Sequence, residues 1–488
     1  MKTFIVIVAF FVGLAVGADY ETVGGNSHRT GYNPDWSGPR DGNVFWTATT
    51  LPSTLGMQVY TWDTLCVVGR YTFTPNRITV ACHDLMTGDT VWTRNWSGTG
   101  KYLPFGCRDG RLYVRDFKET QHDSVFCISM ATGEILWRSE HNVGLGIIWS
   151  AAFTDDGDLL VPGDSHRIFL LDHETGDTLW SCYRLIPTTG GECICVHGDR
   201  AFSWKGASNT PKRICAIDLA TGVITDSSEG LPGSGSQQMQ FTVGPGGVVY
   251  APRDGGDLHA LRYSPATGFT ELWSAACDGG VGMQLGVGPD STLYIPRGRR
   301  LFRLDHQTGA TLDSSPELTS GDDLVPRISI DKDGYLYLST GTYSGGGTWN
   351  LAPDLDTLWF DPMNSTYYTG PAVGKYGITV VSGPGNVIKA YEPAMGIAQE
   401  RGSGPVARPA LSARPSVFSD RVYIEPGPAL EGVGTVTVHD ALGRLVREVS
   451  FESGRASWDG RDAAGNRVAP GVYVLRAGSS LARVTLQR

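Results

Sequence analysis

Along most of the chain, short apolar runs alternate with clusters of Gly, Asp, Thr and Ser, and long stretches at helical spacing are scarce. Runs of this kind, β-branched or aromatic and bounded by turn residues, predict strands. Two markers recur. The first is a turn leading into a strand: Asp109-Gly-Arg-Leu-Tyr-Val114, Asp156-Gly-Asp-Leu-Leu-Val161, Gly246-Gly-Val-Val-Tyr250, Asp290-Ser-Thr-Leu-Tyr294 and Asp333-Gly-Tyr-Leu-Tyr337. Weaker forms are Asp63-Thr-Leu-Cys-Val67, Gly198-Asp-Arg-Ala-Phe202 and Tyr376-Gly-Ile-Thr-Val380. The second marker is Thr-Gly followed by tryptophan, as in Asp84-Leu-Met-Thr-Gly-Asp-Thr-Val-Trp92, Ser129-Met-Ala-Thr-Gly-Glu-Ile-Leu-Trp137 and Asp172-His-Glu-Thr-Gly-Asp-Thr-Leu-Trp180. Thr-Gly recurs at Thr221, Thr267 and Thr308. Asp354-Leu-Asp-Thr-Leu-Trp359 has lost the pair, and Pro393-Ala-Met-Gly396 keeps only the glycine.

Each marker occurs eight times. Taking the Thr or its equivalent at 87, 132, 175, 221, 267, 308, 354 and 395, the steps are 45, 43, 46, 46, 41, 46 and 41 residues. A period in the forties with turn chemistry at constant phase signals a radial or solenoidal repeat. The glycine supplies the positive φ of a tight hairpin, and a large ring at fixed phase is suited to packing between neighbouring sheets. About 48 residues per unit fits four strands each. The fold predicted is all-β, an eight-bladed β-propeller, with seven blades the alternative if one worn unit is an insertion. Upstream, Asn43-Val-Phe-Trp46-Thr is a strand carrying the tryptophan the last unit lacks, and Trp46 precedes Trp92 by 46 residues. It is expected to complete the last blade, so that no sheet edge stays open.

The Thr-Gly…Trp unit resembles the repeat of PQQ-type β-propellers, a family named for quinoprotein dehydrogenases but shared with scaffolds that hold no quinone. The opening Gly24-Gly-Asn-Ser-His-Arg-Thr-Gly31 is similar to the lead-in of such propellers, and the resemblance spans roughly residues 22 to 400. It implies a fold and not an activity. Quinone enzymes of the family carry a vicinal cysteine pair and an Asp/Glu/Asn set around calcium. This sequence has no Cys-Cys dipeptide, and no motif assigns an aspartate base or calcium ligands. PQQ with calcium is therefore not expected.

The start of the chain has a basic residue, an apolar run from Phe4 to Val16, and Ala15-Val-Gly17 or Val16-Gly-Ala18 before Asp19. This predicts a secretory signal peptide at 1–18; the run is shorter than the ~20 residues that span a bilayer. No cysteine follows to carry a lipid, and no later stretch is long and apolar enough to cross a membrane. The propeller is assigned to 19–400 and a linker rich in Gly, Pro and small residues to 401–415. Residues 416–488 then read as a small Ig-like β-sandwich, with strands at Arg421–Glu425, Gly434–His439, Leu445–Val449, Gly471–Leu475 and Ala482–Leu486. Asp440-Ala-Leu-Gly443, Trp458-Asp-Gly-Arg-Asp-Ala-Ala-Gly465 and Pro470-Gly-Val-Tyr473 resemble FlgD-type Ig-like domains and the type A sorting domains of type IX secretion. The usual opening Pro-Asn-Pro-Phe of those domains is here Arg414-Pro-Ser-Val-Phe418. The resemblance implies that secretion machinery is one partner.

The formal charge of −10 argues against nucleic acid or an anionic membrane as partner. It is uneven: from residue 401 onward twelve arginines face eight acids, a net +4 that leaves −14 for the rest. Nine cysteines in an exported chain leave two readings, buried free thiols on strands or one or two disulfides. Cys193-Ile-Cys195 lacks the companion ligands of a metal motif. His83, His173 and His306 precede Thr-Gly turns and are expected to be exposed. Asp155-Asp-Gly-Asp158 and Asp331-Lys-Asp-Gly334 match the hairpin marker and lack the full ligand pattern of a calcium loop. No catalytic, cofactor-binding or metal residue is assigned. The reading is a secreted or surface-held propeller that reaches its place through the periplasm and serves as a non-enzymatic binding or scaffold protein. A protein or glycan would be its partner at the propeller faces. The alternatives are a quinoprotein-like oxidoreductase and a hydrolase or lyase built from loops.

Overall fold

A computed structural model describes residues 20–393 and 411–486, apart from 55–56, 74–75, 97–100, 118–123, 140–150, 164–165, 186–192, 207–210, 234–239, 254–255, 278–283, 321–326, 341–345, 364–369, 415–416, 419, 427–433, 441–443, 452–454 and 478–479. The expected signal peptide and most of the expected linker lie outside these residues. The chain divides into two compact units, Met1–Ala394 and Met395–Arg488.

The first unit is built of antiparallel meanders, with two single 3₁₀ turns as its described helical elements. Six sheets have four strands, and one sheet of eight joins the meanders 59–94 and 101–138 through the single parallel pair Ile78–Lys101. The other meanders are 152–183, 194–227, 242–277, 286–314, 327–362, and 372–391 completed by Val44–Ser53. Every turn-then-strand marker opens the second strand of a meander, because the Asp/Gly turn ends the first strand there. The N-terminal strand Val44–Ser53 pairs antiparallel with Gly385–Tyr391, Trp46 opposite Ala390, and so covers the edge of the last sheet. The first strand of meander 59–94 lies against that of 372–391, which closes the ring of first strands.

The two markers meet across sheets. Trp92, Trp137, Trp180 and Trp273 each donate their indole N–H to the carbonyl two residues before the Thr of the next unit: Met130, His173, Leu219 and His306, at 2.7–3.0 Å. Trp46 makes the same bond to Leu85 at 2.8 Å. Each ring then covers the turn glycine of that unit. At Gly176, φ is +78° and a Cβ would lie 2.4 Å from the Trp137 ring, so two separate constraints demand glycine. Asp172 closes the turn by accepting the backbone N–H groups of Glu174 and Thr175, both at 2.8 Å. Buried apolar clusters span successive sheets, for example Tyr113, Val125 and Trp137 with Phe153, Leu159 and Val161. The core is thus divided into wedges between blades.

The C-terminal unit is a sandwich of a three-stranded and a five-stranded sheet. Its core gathers Val422, Ile424, Val436, Val438, Trp458, Tyr473 and Leu475, with Trp458 edge-on to Phe418 and Tyr473. One boundary differs from the sequence reading. Leu411–Arg414, expected as linker, is a strand paired with Val422–Pro426. Its Leu411 side chain is buried in the sandwich core, which is what holds a strand in a segment of linker-like composition.

Candidate functional site

The centre of the first unit is occupied by its own chain. Residues 20–33 visit the first strand of every meander in sequence order. Tyr20 bridges Thr61, and Thr22 bridges Gly106; the Thr22 hydroxyl donates to the Ala151 carbonyl at 2.9 Å. Carbonyls of Ser27, His28, Thr30 and Gly31 then accept the N–H groups of Val196, Val243, Val287 and Ile330, at 2.7–3.0 Å. Asn33 finishes the circuit by donating its side-chain N–H to Val373 O at 3.0 Å. A segment that crosses first strands needs acceptors at irregular intervals, and positive φ at Gly24, Gly25, Arg29 and Gly31 supplies the changes of direction. Farther along, Arg40 and Gly38 fasten the segment to Asp331.

The side chains inside this collar are polar. Arg29 is 1% exposed, and one of its terminal nitrogens donates to the Gln240 side-chain oxygen. Gln58, Gln240, Gln284 and Arg327 stand at the start of first strands and are all buried. Tyr20 and Tyr60 are buried near Arg29 and Arg327, and burial raises both phenols above their ordinary range. Sequence reading missed this set. The signal available was the dipeptide Met-Gln, which recurs at 57–58, 239–240 and 283–284. It is too short to stand out, and Arg29 comes from outside the repeat altogether.

The residues singled out from sequence lie elsewhere. Eight cysteines (66, 82, 107, 127, 182, 193, 195 and 215) are free and buried, and the Cys277 side chain is outside the described residues. Burial pushes the Cys127 and Cys215 thiols up to about 12, which keeps them protonated and inert. His83 corrects the expectation of exposed turn histidines. It is fully buried and its Nδ1 lies 3.1 Å from Gly88 O; burial lowers its pKa. His173 and His306 are partly buried, with His173 2.8 Å from Asp158. The Asp331 carboxylate accepts from the N–H groups of Gly38, Asp333 and Tyr335, from Arg40 and from the Tyr337 hydroxyl, so its oxygens are committed within the chain. Among the described residues no three His, Cys, Asp or Glu side chains converge as a metal site. A cleft of about 640 Å³ between meanders 152–183 and 194–227 is lined by Asp155, Asp156, Asp158 and Asp199 with Leu179 and Trp180.

Residues 76–241 match the family model described as outer membrane protein assembly factor BamB. The repeat is of the PQQ type. Residues 422–482 match the FlgD Ig-like domain. Among solved structures the chain is similar to quinohemoprotein alcohol dehydrogenase from Comamonas testosteroni, at 12% identity over 81% of this chain and 83% of that one, with a TM-score of 0.57. It is also similar to BamB from Moraxella catarrhalis, at 15% identity over 72% of this chain and 99% of that one, with a TM-score of 0.51. At such identities the PQQ-type likeness speaks for fold alone. No curated protein matches the chain. Among the described residues no helix is long and apolar enough to cross a membrane.

Proposed function

We propose that this chain is an exported, non-enzymatic propeller of eight blades that presents its loops to a protein or glycan partner. In this reading the C-terminal Ig-like domain is the address by which type IX machinery delivers it. The observation that carries the reading is the axis: residues 20–33 bond to the first strands all the way round. A disc whose centre is filled by its own chain is built to hold a shape, and recognition is left to its loops. The donor set at the axis supports the same view. Buried arginine and tyrosine do not supply the carboxylates that a calcium ion calls for among its oxygen ligands, and the vicinal cysteine pair is missing from the sequence.

Calorimetric titration of the mature chain with PQQ in the presence of calcium tests the first part. No stoichiometric binding is expected; binding accompanied by dye-linked alcohol oxidation would replace the scaffold with an oxidoreductase. For the address, truncation after residue 410 in a host with a type IX system should strand the propeller in the periplasm. Normal delivery of the truncated chain would leave the sandwich a purely structural module.

A further inference from the structure

The collar around the axis buries a positive charge that no carboxylate among the described residues balances. Arg29 is 1% exposed, yet two of its three guanidinium nitrogens, Nε and Nη1, have no hydrogen-bond partner. The third donates to an uncharged acceptor, the Gln240 amide oxygen. Among the described residues no carboxylate pairs with Arg29. A second buried cation, Arg327, lies close enough to act on the same Tyr20 and Tyr60 phenols as Arg29 does. An arginine remains charged at any pH a protein meets, so it cannot relieve burial by losing its proton. A guanidinium removed from water without a counter-charge is among the costliest groups to bury.

Two glutamines that stand at the start of first strands are held in fixed orientation. Gln58 Nε2 is fixed by the carbonyls of Val59 and Gly370, and Gln284 Nε2 by that of Ile328, at 2.8–3.3 Å. Those bonds settle which end of each amide faces the backbone and leave Gln58 Oε1 and Gln284 Oε1 buried without a donor. The same collar therefore holds donors that lack an acceptor and acceptors that lack a donor. Water could meet the acceptors, but only an anion meets the charge.

We infer that the collar formed by residues 20–33 is a binding site for one small oxyanion, of the carboxylate, phosphate or sulfate class, held by Arg29. This goes beyond the scaffold reading and does not depend on it, since neither a partner at the loops nor a sorting role enters the argument. Binding would complete the axis after the chain has wrapped it, and the stability of the propeller would rise with oxyanion concentration.

The test uses the full mature chain, dialysed into chloride, with sulfate, inorganic phosphate and citrate added at matched ionic strength. At least one of the three should raise Tm saturably by about 2–5 °C over chloride, with one equivalent bound by calorimetry. Arg29→Lys keeps a positive charge but loses the planar fork, and should weaken that binding about tenfold or more. Gln240→Glu is the decisive variant, because it places a carboxylate against Arg29 with almost no change of shape. It should be more stable than wild type in chloride and indifferent to the oxyanion. A merely structural Arg29 would not produce that reversal. The inference is overturned if none of the three anions differs from chloride. It is equally overturned if Arg29→Lys responds like wild type, or if Gln240→Glu is destabilised and still responds.

Discussion

The rim and the axis of the propeller are held in opposite ways. At the rim the same bond is made again and again: an indole N–H to the carbonyl ahead of the next turn, the ring over that turn's glycine. At the axis each contact is made once, by a segment that occurs once. The difference decides how each region fails. Losing one rim contact should loosen one seam between two sheets, whereas losing the axial segment removes a partner from every sheet together. The rim also shows what happens when one half of a contact is lost. The unit at Thr221 has Asp226 in place of tryptophan, and Asp226 Oδ2 accepts the Phe269 N–H at 3.0 Å beside Gly268. The unit at Thr308 has Asp313 at that phase, and the next turn has no Thr-Gly and bends at Leu355 with φ +71°. At the second of these seams tryptophan and glycine are lost together, whereas at the first Gly268 stays and a carboxylate stands where the ring would be.

The comparison is broken most severely by removing residues 20–33 from the mature chain. Every first strand then loses a hydrogen-bonding neighbour, and the buried polar collar opens. The expected outcome is no cooperative thermal transition and recovery mainly as aggregate, read by calorimetry and size-exclusion chromatography. A soluble, cooperatively melting protein would mean that the rim alone closes the ring.

Next in size is Trp92→Ala, at a 5% exposed ring that covers Gly133. It should cost about 3–5 kcal/mol in urea unfolding. Gly133→Ala should cost about 1–3 kcal/mol, because φ is +71° and the new Cβ would meet the Trp92 ring at 2.8 Å. With the ring gone only the backbone part of that cost remains, so the double variant should fall short of additivity by about 0.5–2 kcal/mol. Strict additivity would show that the ring and the glycine are not coupled. Asp226→Ala, the substitute contact, should cost about 1–2 kcal/mol, since one hydrogen bond to a partly exposed carboxylate replaces a whole buried ring.

What could be read from the sequence follows the same division. The repeat and the packing of tryptophan between sheets were legible because each is written many times at fixed phase, and the single closing strand because Trp46 stands one period before Trp92. The three shorter strands of the sandwich, Leu411–Arg414, Val417–Phe418 and Ala456–Trp458, were not. They have two to four residues, and the last two owe their shape to pairing partners far along the chain. The axial site was invisible for a related reason. Arg29 and Gln240 are 211 positions apart, and neither has a local pattern that marks it as buried. His83 was misread because its phase beside a turn suggests exposure, while its place in the strand Asn76–Asp84 directs it inward.

The smallest effect separates the regions by pH. In the rim turns, hydrogen bonds from Thr175, Thr221 and Thr308 hold the Asp172, Asp218 and Asp305 carboxyls below their ordinary range. A carboxyl depressed on folding stabilises above its unfolded pKa, and that contribution is lost as pH falls through the folded value. In the axial segment the sign is reversed. Burial raises Glu21 to about 7, against which Arg108, at 3.7 Å, is only a partial offset. A carboxyl raised on folding contributes fully below its unfolded pKa, near 4.5, and loses that contribution as pH rises through about 7. Acid should therefore loosen the rim, and a rise from acid to neutral pH the axis. Glu21→Gln keeps the shape and removes the titration, so its stability relative to wild type should grow between pH 5 and pH 8, by roughly 1–2 kcal/mol for a partly exposed group. Chemical denaturation across that range measures it. A difference that stays flat from pH 5 to 8 would show that Glu21 ionises in the folded chain as it does in water, and the axis would then carry no pH dependence of its own through this residue.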